Sequence, residues 1–293
     1  MVKLGVIQGD GKMRISEIYN KIKQPKSFEI FPPKGDLSVE TAKETVKELI
    51  DLEPAFISVT YSAGGSGNSH KTADLATMIQ KDFGVTAAAH LTCINSSKSD
   101  IDETIKTLKD DGIENILALR GDVVEGGAAT DFKYATDLIP VLKDAGFCVG
   151  GACYPEGHVA CKSLEDDLNH LYEKEMAGAD FFLSQLFFDN DAFFKFFEKA
   201  RKIGVSKPIE AGVMPILSKS QITRMIFMCG ASLPANIIRI LNKYENSPED
   251  LEKAGIETAL NQIQGLLSGG VDGVHIYTMN KPHIAKTIMG GLK

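Results

Sequence analysis

The chain has 293 residues, 43% hydrophobic and 24% charged, which is ample apolar material for one large core. Its 39 acidic and 32 basic side chains leave a net charge of -7, and without a Lys/Arg stripe this argues against nucleic acid as a partner. No window approaches the ~18 apolar residues of a membrane span, "MVKLGVIQGD" does not read as a signal peptide, and five cysteines without a CxxC pair do not make a secreted disulfide framework. The expectation is a cytoplasmic protein.

Residues 1–25 predict a short helical extension built on "ISEIYNKIK", lying against a single domain over 26–293. Eight β-rich runs then follow: "KSFEIF" (26–31), "AFISVTY" (55–61), "GVTAAAHLT" (84–92), "NILALRG" (115–121), "FCVGGACY" (147–154), "DFFLSQL" (180–186), "PIEAGVM" (208–214) and "GVHIY" (273–277). Helical patterns separate them. Ser38 precedes "VETAKETVKELI", Ser163 opens "LEDDLNHLYEKEMAG", and Ser247 stands before Pro248 at a first helical position. Alternating strands and helices predict a parallel sheet, and eight units close into a (β/α)8 TIM barrel. An open doubly wound sheet would need a Gly-rich turn after its first strand, and "FPPKGD" is no GxGxxG.

A barrel places its chemistry where its strands end. Glu29 stands near the end of the first run, on the face opposite Phe28 and Ile30, before the Pro32-Pro33 stop. Taken alone, it reads as a structural ion-pair partner. However, Thr60-Tyr61, His90 with Thr92, Arg120-Gly121-Asp122, Tyr154, Gln185 and Tyr277 close six of the other seven runs. Polar residues at seven of eight strand ends describe an active-site rim. A metal-assisted hydrolase built on His90, Asp122 and His158 is the alternative, but no HxH or HExxH spacing supports it, so no metal is expected. The glycine-rich "SAGGSGNSH" (62–70) and the segment after Asp122 read as binding loops.

"SFEIFPPK", "FISVTYSAGGS", "AHLTCI", "ILALRGD", "YPEGH", "GADFFLSQLFFD" and "HIYTMN", in this order, resemble the bacterial methylenetetrahydrofolate reductase family from residue 27 to about 289. The resemblance implies a barrel that holds FAD without a Rossmann motif. It implies hydride transfer from NADH or NADPH to the flavin, and from the flavin to 5,10-methylenetetrahydrofolate, giving 5-methyltetrahydrofolate. It also implies a homo-oligomer. A redox partner protein such as ferredoxin, or a role only as a flavin-binding subunit of a larger electron-transfer complex, remains open.

By this resemblance Glu29 is the general acid, because opening the folate ring needs a proton on the departing nitrogen. Asp122 is the carboxylate beside the flavin. Thr60, Tyr61, Ala63, His90, Arg120, Gly121, Asp122, Tyr134, Ala135, Tyr154, His158, Asp167 and Lys174 match FAD-contacting positions, with Arg120 and Lys174 suited to the pyrophosphate. Gln185, Gln221 and Lys281 match folate-side positions. Four residues depart from the family pattern: His170 and Glu173 replace Asn and Arg, Met225 replaces an aromatic, and Lys281 replaces Arg.

Overall fold

The computed structural model describes residues 13–32, 39–61, 69–122 and 131–292. Ala63 and most of both binding loops lie outside them. Helix α1 (Ile15–Lys21) comes first, followed by β1 (Lys26–Ile30), α2 (Val39–Ile50), β2 (Ile57–Val59), α3 (Ser69–Phe83), β3 (Ala87–Thr92) and α4 (Lys98–Asp110). Next come β4 (Asn115–Leu119), α5 (Ala135–Asp144), β5 (Cys148–Cys153), α6 (Leu164–Met176), β6 (Phe181–Ser184) and α7 (Asn190–Lys202). The chain finishes with β7 (Ile209–Val213), α8 (Lys219–Cys229), α9 (Ala235–Lys243), α10 (Pro248–Ser268), β8 (Gly273–Tyr277) and α11 (Pro282–Gly291). The strands close in sequence order into one parallel barrel, β1 pairing with both β2 and β8.

Local chemistry sets the helix starts. Ser97 and Asp100 form a reciprocal capping box at α4, and the hydroxyls of Ser163 and Ser218 accept the Asp166 and Gln221 N–H groups at α6 and α8. Ser247 differs from the expectation: its hydroxyl donates to Asp250 Oδ2 (2.6 Å) and caps no backbone group. α8 ends on Gly230 with φ 70°, a conformation that costs glycine little.

Alternation along each strand divides the side chains between two layers. Phe28, Ile30, Ile57, Val59, Ile116, Val149, Phe182, Val274 and Ile276 join the helices in the main core. Phe56, Ala88, Leu117, Cys148, Phe181 and Leu183 fill the lumen, together with Ile15 and Ile18 of α1. α1 is pinned beneath the barrel, since Ile15 N–H donates to Asn115 Oδ1 (2.8 Å) and Asn115 Nδ2 donates to Met13 O (3.0 Å). Asn115 opens β4, so the plug seals the end where strands begin. The Phe181 ring lies over Gly150 so closely that a Cβ there would collide with it.

The strands are shorter than the apolar runs that announce them. β2 holds three residues, and Thr60 and Tyr61 lie beyond it. Between β7 and β8 stand three helices. α8, α9 and the start of α10 enclose a second core of Leu186, Phe188, Met214, Ile216, Ile222, Ile237, Leu241 and Leu251. Among the described residues no helix is long and apolar enough to cross a membrane.

Candidate active site

A cavity of ≈ 390 Å³ opens where the strands end. Glu29, Thr60, Tyr61, His90, Thr92, Arg120, Gly121, Asp122, Tyr154, His158, Gln185 and Tyr277 line it, so every polar strand end singled out from the sequence reaches one chamber. Asn95 and Ser96, in the loop after β3, and Ser184, the last residue of β6, are also on its wall and were not singled out from the sequence. A second cavity, ≈ 320 Å³, lies outside β4 and β5 against α5 and α6. It is lined by Tyr134, Ala135, Asp167, Lys174, His170 and Glu173, and it shares Arg120, Tyr154 and His158 with the first. The two chambers therefore adjoin across these residues, one at the lumen mouth and one on the barrel's flank.

Glu29 reaches the chamber because Phe28 and Ile30 are drawn outward into the main core. Its backbone oxygen accepts Thr278 Oγ1 (2.7 Å). Its carboxylate Oε2 lies 3.6 Å from His90 Nε2 and 3.7 Å from His275 Nε2, and among the described residues it makes no hydrogen bond. His90 Nε2 is buried without a hydrogen-bond partner. Burial depresses the His90 imidazole to about 4 against the opposing pull of Glu29, so it is uncharged at neutral pH. A buried unpaired nitrogen beside a carboxylate suits a site completed by a ligand.

Asp122 stands exposed at the rim, just past β4. Gln185 has its side-chain oxygen held by Leu186 N–H (2.8 Å), which leaves its NH2 group to face a ligand. In the second chamber Lys174 donates to Ala152 O (2.8 Å) and sits 5.4 Å from the Tyr154 ring centroid. Burial lowers its pKa and Asp167 opposes that shift, while burial raises the Asp167 carboxyl and Lys174 opposes it. Neither Lys174 nor Arg120 forms an ion pair among the described residues, so both can hold an anionic group such as a diphosphate.

Gln221 and Lys281 line neither cavity. Gln221 turns back on its own loop, accepting Leu217 N–H (2.8 Å). Lys281 pairs with Glu252 at 3.0 Å, which His283 also contacts. Met225 packs beside the second core, next to Phe227 and Met228, which are 82% and 58% exposed. Among the described residues the one cluster with metal-ligand spacing is Cys161, Asp167 and His170 on the second chamber, not His90, Asp122 and His158.

Residues 14–293 match the family model for methylenetetrahydrofolate reductase. A Pectobacterium carotovorum 5,10-methylenetetrahydrofolate reductase is 34% identical over 263 residues, covering 89% of this chain and 88% of its own. Methylenetetrahydrofolate reductase 1 of Schizosaccharomyces pombe is 34% identical over 277 residues, covering 92% of this chain. The NADH form 1 from Arabidopsis thaliana is 35% identical over 277 residues, covering 87%. This chain spans only 46% of the length of either of those two. A solved structure, an uncharacterized protein from Clostridium thermocellum that binds two copies of 5-methyl-5,6,7,8-tetrahydrofolic acid, shares the fold. Its TM-score is 0.70 at 15% identity, over 96% of this chain and 100% of that one.

Proposed function

The chain belongs to the methylenetetrahydrofolate reductase family, and on that premise we propose that it reduces 5,10-methylenetetrahydrofolate to 5-methyltetrahydrofolate with bound FAD. The supporting observation is the pair of adjoining chambers. Glu29, Asp122 and Gln185 line one, and the half-buried Lys174 lines the other, with Arg120 on the wall of both. That shape suits a flat ring in the lumen mouth and a diphosphate on the flank. FAD, when bound, supplies hydride transfer between a nicotinamide donor and the folate.

The chain's own residues do the rest. Arg120 and Lys174 hold the diphosphate, with Tyr134, Ala135, Tyr154, His158 and Asp167 forming the walls around it. Thr60, Tyr61, His90 and Gly121 bound the ring's chamber. Gly121 has φ 84°, and a Cβ there would press on Thr92, so the backbone reaches the cavity without a side chain. Glu29 donates a proton to the folate nitrogen that leaves as the ring opens. Asp122 disfavours extra electron density on the reduced ring and favours the cationic iminium that accepts the hydride. Gln185 orients the folate through its free amide NH2. Lys281 and Gln221 enter only if the segments between them move on binding.

Anaerobic reduction of the purified yellow protein by NADH, NADPH and reduced ferredoxin, followed by addition of methylenetetrahydrofolate, tests this reading and identifies the donor. Reoxidation of the flavin with formation of the methyl product is expected. A colourless protein that binds no FAD, or a reduced flavin untouched by the folate, would overturn it.

A further inference from the structure

Beneath Glu29 a line of buried polar side chains descends through the lumen toward α1. Ser27 precedes Glu29 by two residues and shares its inward face. Ser27 Oγ lies 2.5 Å from Glu210 Oε2 and 2.6 Å from His275 Nδ1. Glu210 Oε1 in turn accepts the Tyr19 hydroxyl at 3.1 Å. The other imidazole nitrogen, Nε2, lies 3.2 Å from Ser58 Oγ and 3.7 Å from Glu29 Oε2. Glu210 and His275 are both 0% exposed, and neither lines the cavity. One imidazole thus stands between two carboxylates, with Phe56 stacked on its ring at 5.9 Å.

We propose that Glu29 and Glu210 share a proton through His275 and Ser27, so that Glu210 resets Glu29 after it has served as an acid. This rests on the role given to Glu29 above. A serine hydroxyl has one proton, so its direction is set by its neighbours. With Glu210 as carboxylate, Ser27 O–H donates to it and accepts His275 Nδ1–H. The bare Nε2 then faces Glu29, an arrangement that suits the protonated carboxyl. With Glu210 protonated the line reverses. Glu210 donates to Ser27, Ser27 donates to Nδ1, and Nε2–H points at a Glu29 carboxylate.

Three proton moves interconvert the two states. The Glu29 proton passes to Nε2, the Nδ1 proton to Ser27 and the Ser27 proton to Glu210, with no heavy-atom bond broken. The reset starts with both carboxyls protonated: when Glu29 gives its proton to the folate nitrogen the second state remains, and the Glu210 proton then returns along the same line, leaving the first. Water at the open mouth replaces that proton once the product has left.

Glu210 is suited to the task, since burial pushes it up to about 7 against His275, Ser27 and Tyr19. The other titratable groups facing the line are Tyr19 on α1, Asp272 before β8, Tyr277 on β8, His90 on β3 and Cys148 beside Tyr19 on β5.

Two-bond 1H–15N spectra of the 15N-histidine-labelled full chain read the tautomer directly, and six histidines make assignment tractable. His275 is expected to shift from Nδ1–H toward Nε2–H as pH falls through the Glu210 titration. Glu210→Gln and Ser27→Ala should abolish that response, whereas Ser27→Thr, which keeps the hydroxyl, should retain it. An invariant tautomer in the parent protein, or an unchanged response in Ser27→Ala, would overturn the proposal. This readout needs no turnover, so it stands apart from failure of the folate reaction. If the folate reaction proceeds, Ser27→Ala should slow the folate half-reaction at least about tenfold while leaving flavin reduction unchanged. Equal slowing of both halves would count against the line.

Discussion

The two ends of the lumen are built from the same eight strands and behave as opposites. At the floor, Phe56, Phe181, Ala88 and Cys148 interlock with Ile15 and Ile18 of α1, and Leu117 and Leu183 of the same cluster form the base of the chamber above them. At the mouth, two or four residues further along the strands, the inward positions carry Glu29, His90, Thr92 and Tyr277 around a chamber. The backbone is common to both, so side-chain size and polarity alone decide which end is packed and which is open. At the mouth His90 Nε2 is buried without a hydrogen-bond partner, and the sealed floor supplies stability that tolerates such a group.

Substitutions can test this division. Glu29→Gln should slow the folate half-reaction by ~10²–10⁴-fold while leaving flavin reduction and thermal stability nearly intact; stopped-flow traces that lose both halves equally would erase the contrast. Phe181→Ala, on the floor, should do the reverse. We expect a loss of about 3–5 kcal/mol in urea unfolding, with the activity of the folded fraction preserved. Lys174→Met should weaken FAD binding by about 1.5–3 kcal/mol, measured by flavin titration, and should leave the folded-state spectrum unchanged.

A smaller effect comes from Glu210, whose carboxyl is raised in the folded chain by burial to about 7. The folded state then binds more protons than the unfolded one, so this group's stabilisation is complete below its unfolded pKa and is lost as pH rises through about 7. Glu210→Gln should remove that decline from a stability–pH series, although His90, depressed to about 4, contributes a slope of opposite sign between pH 4 and its ordinary value. Asp122→Asn should give the smallest change, a less negative flavin midpoint potential, because an exposed charge is partly screened by solvent. An unchanged or more negative potential would remove Asp122 from the ring's surroundings.

Much of this was legible in the sequence. The eight runs gave the barrel, since turn residues and period-two patterns mark each strand, and the polar strand ends gave the rim. The run read over 55–61 is longer than β2 because Ala55 and Phe56 before it and Thr60 and Tyr61 after it extend the β-rich pattern beyond the paired residues Ile57–Val59. The insertion of α9 went unseen: "NIIRI" reads as an amphipathic stretch with no sign that it stands between two other helices. The line through Glu210 and His275 was hidden for a different reason. Strands of a parallel barrel are buried on both faces, so "PIEAGVM" and "GVHIY" do not reveal which residues point into the lumen. Gln221 is a related case, because the direction of a first-turn side chain is settled by the loop it closes against.

The plug made by α1 has a practical corollary. Cutting the chain before Lys26, or pulling residues 13–21 away with a bulky N-terminal fusion, would uncork the tube from below. Water would reach Phe56 and Phe181, and Glu210 would lose the phenol that caps it. Tags for purification or immobilisation therefore belong at the opposite terminus.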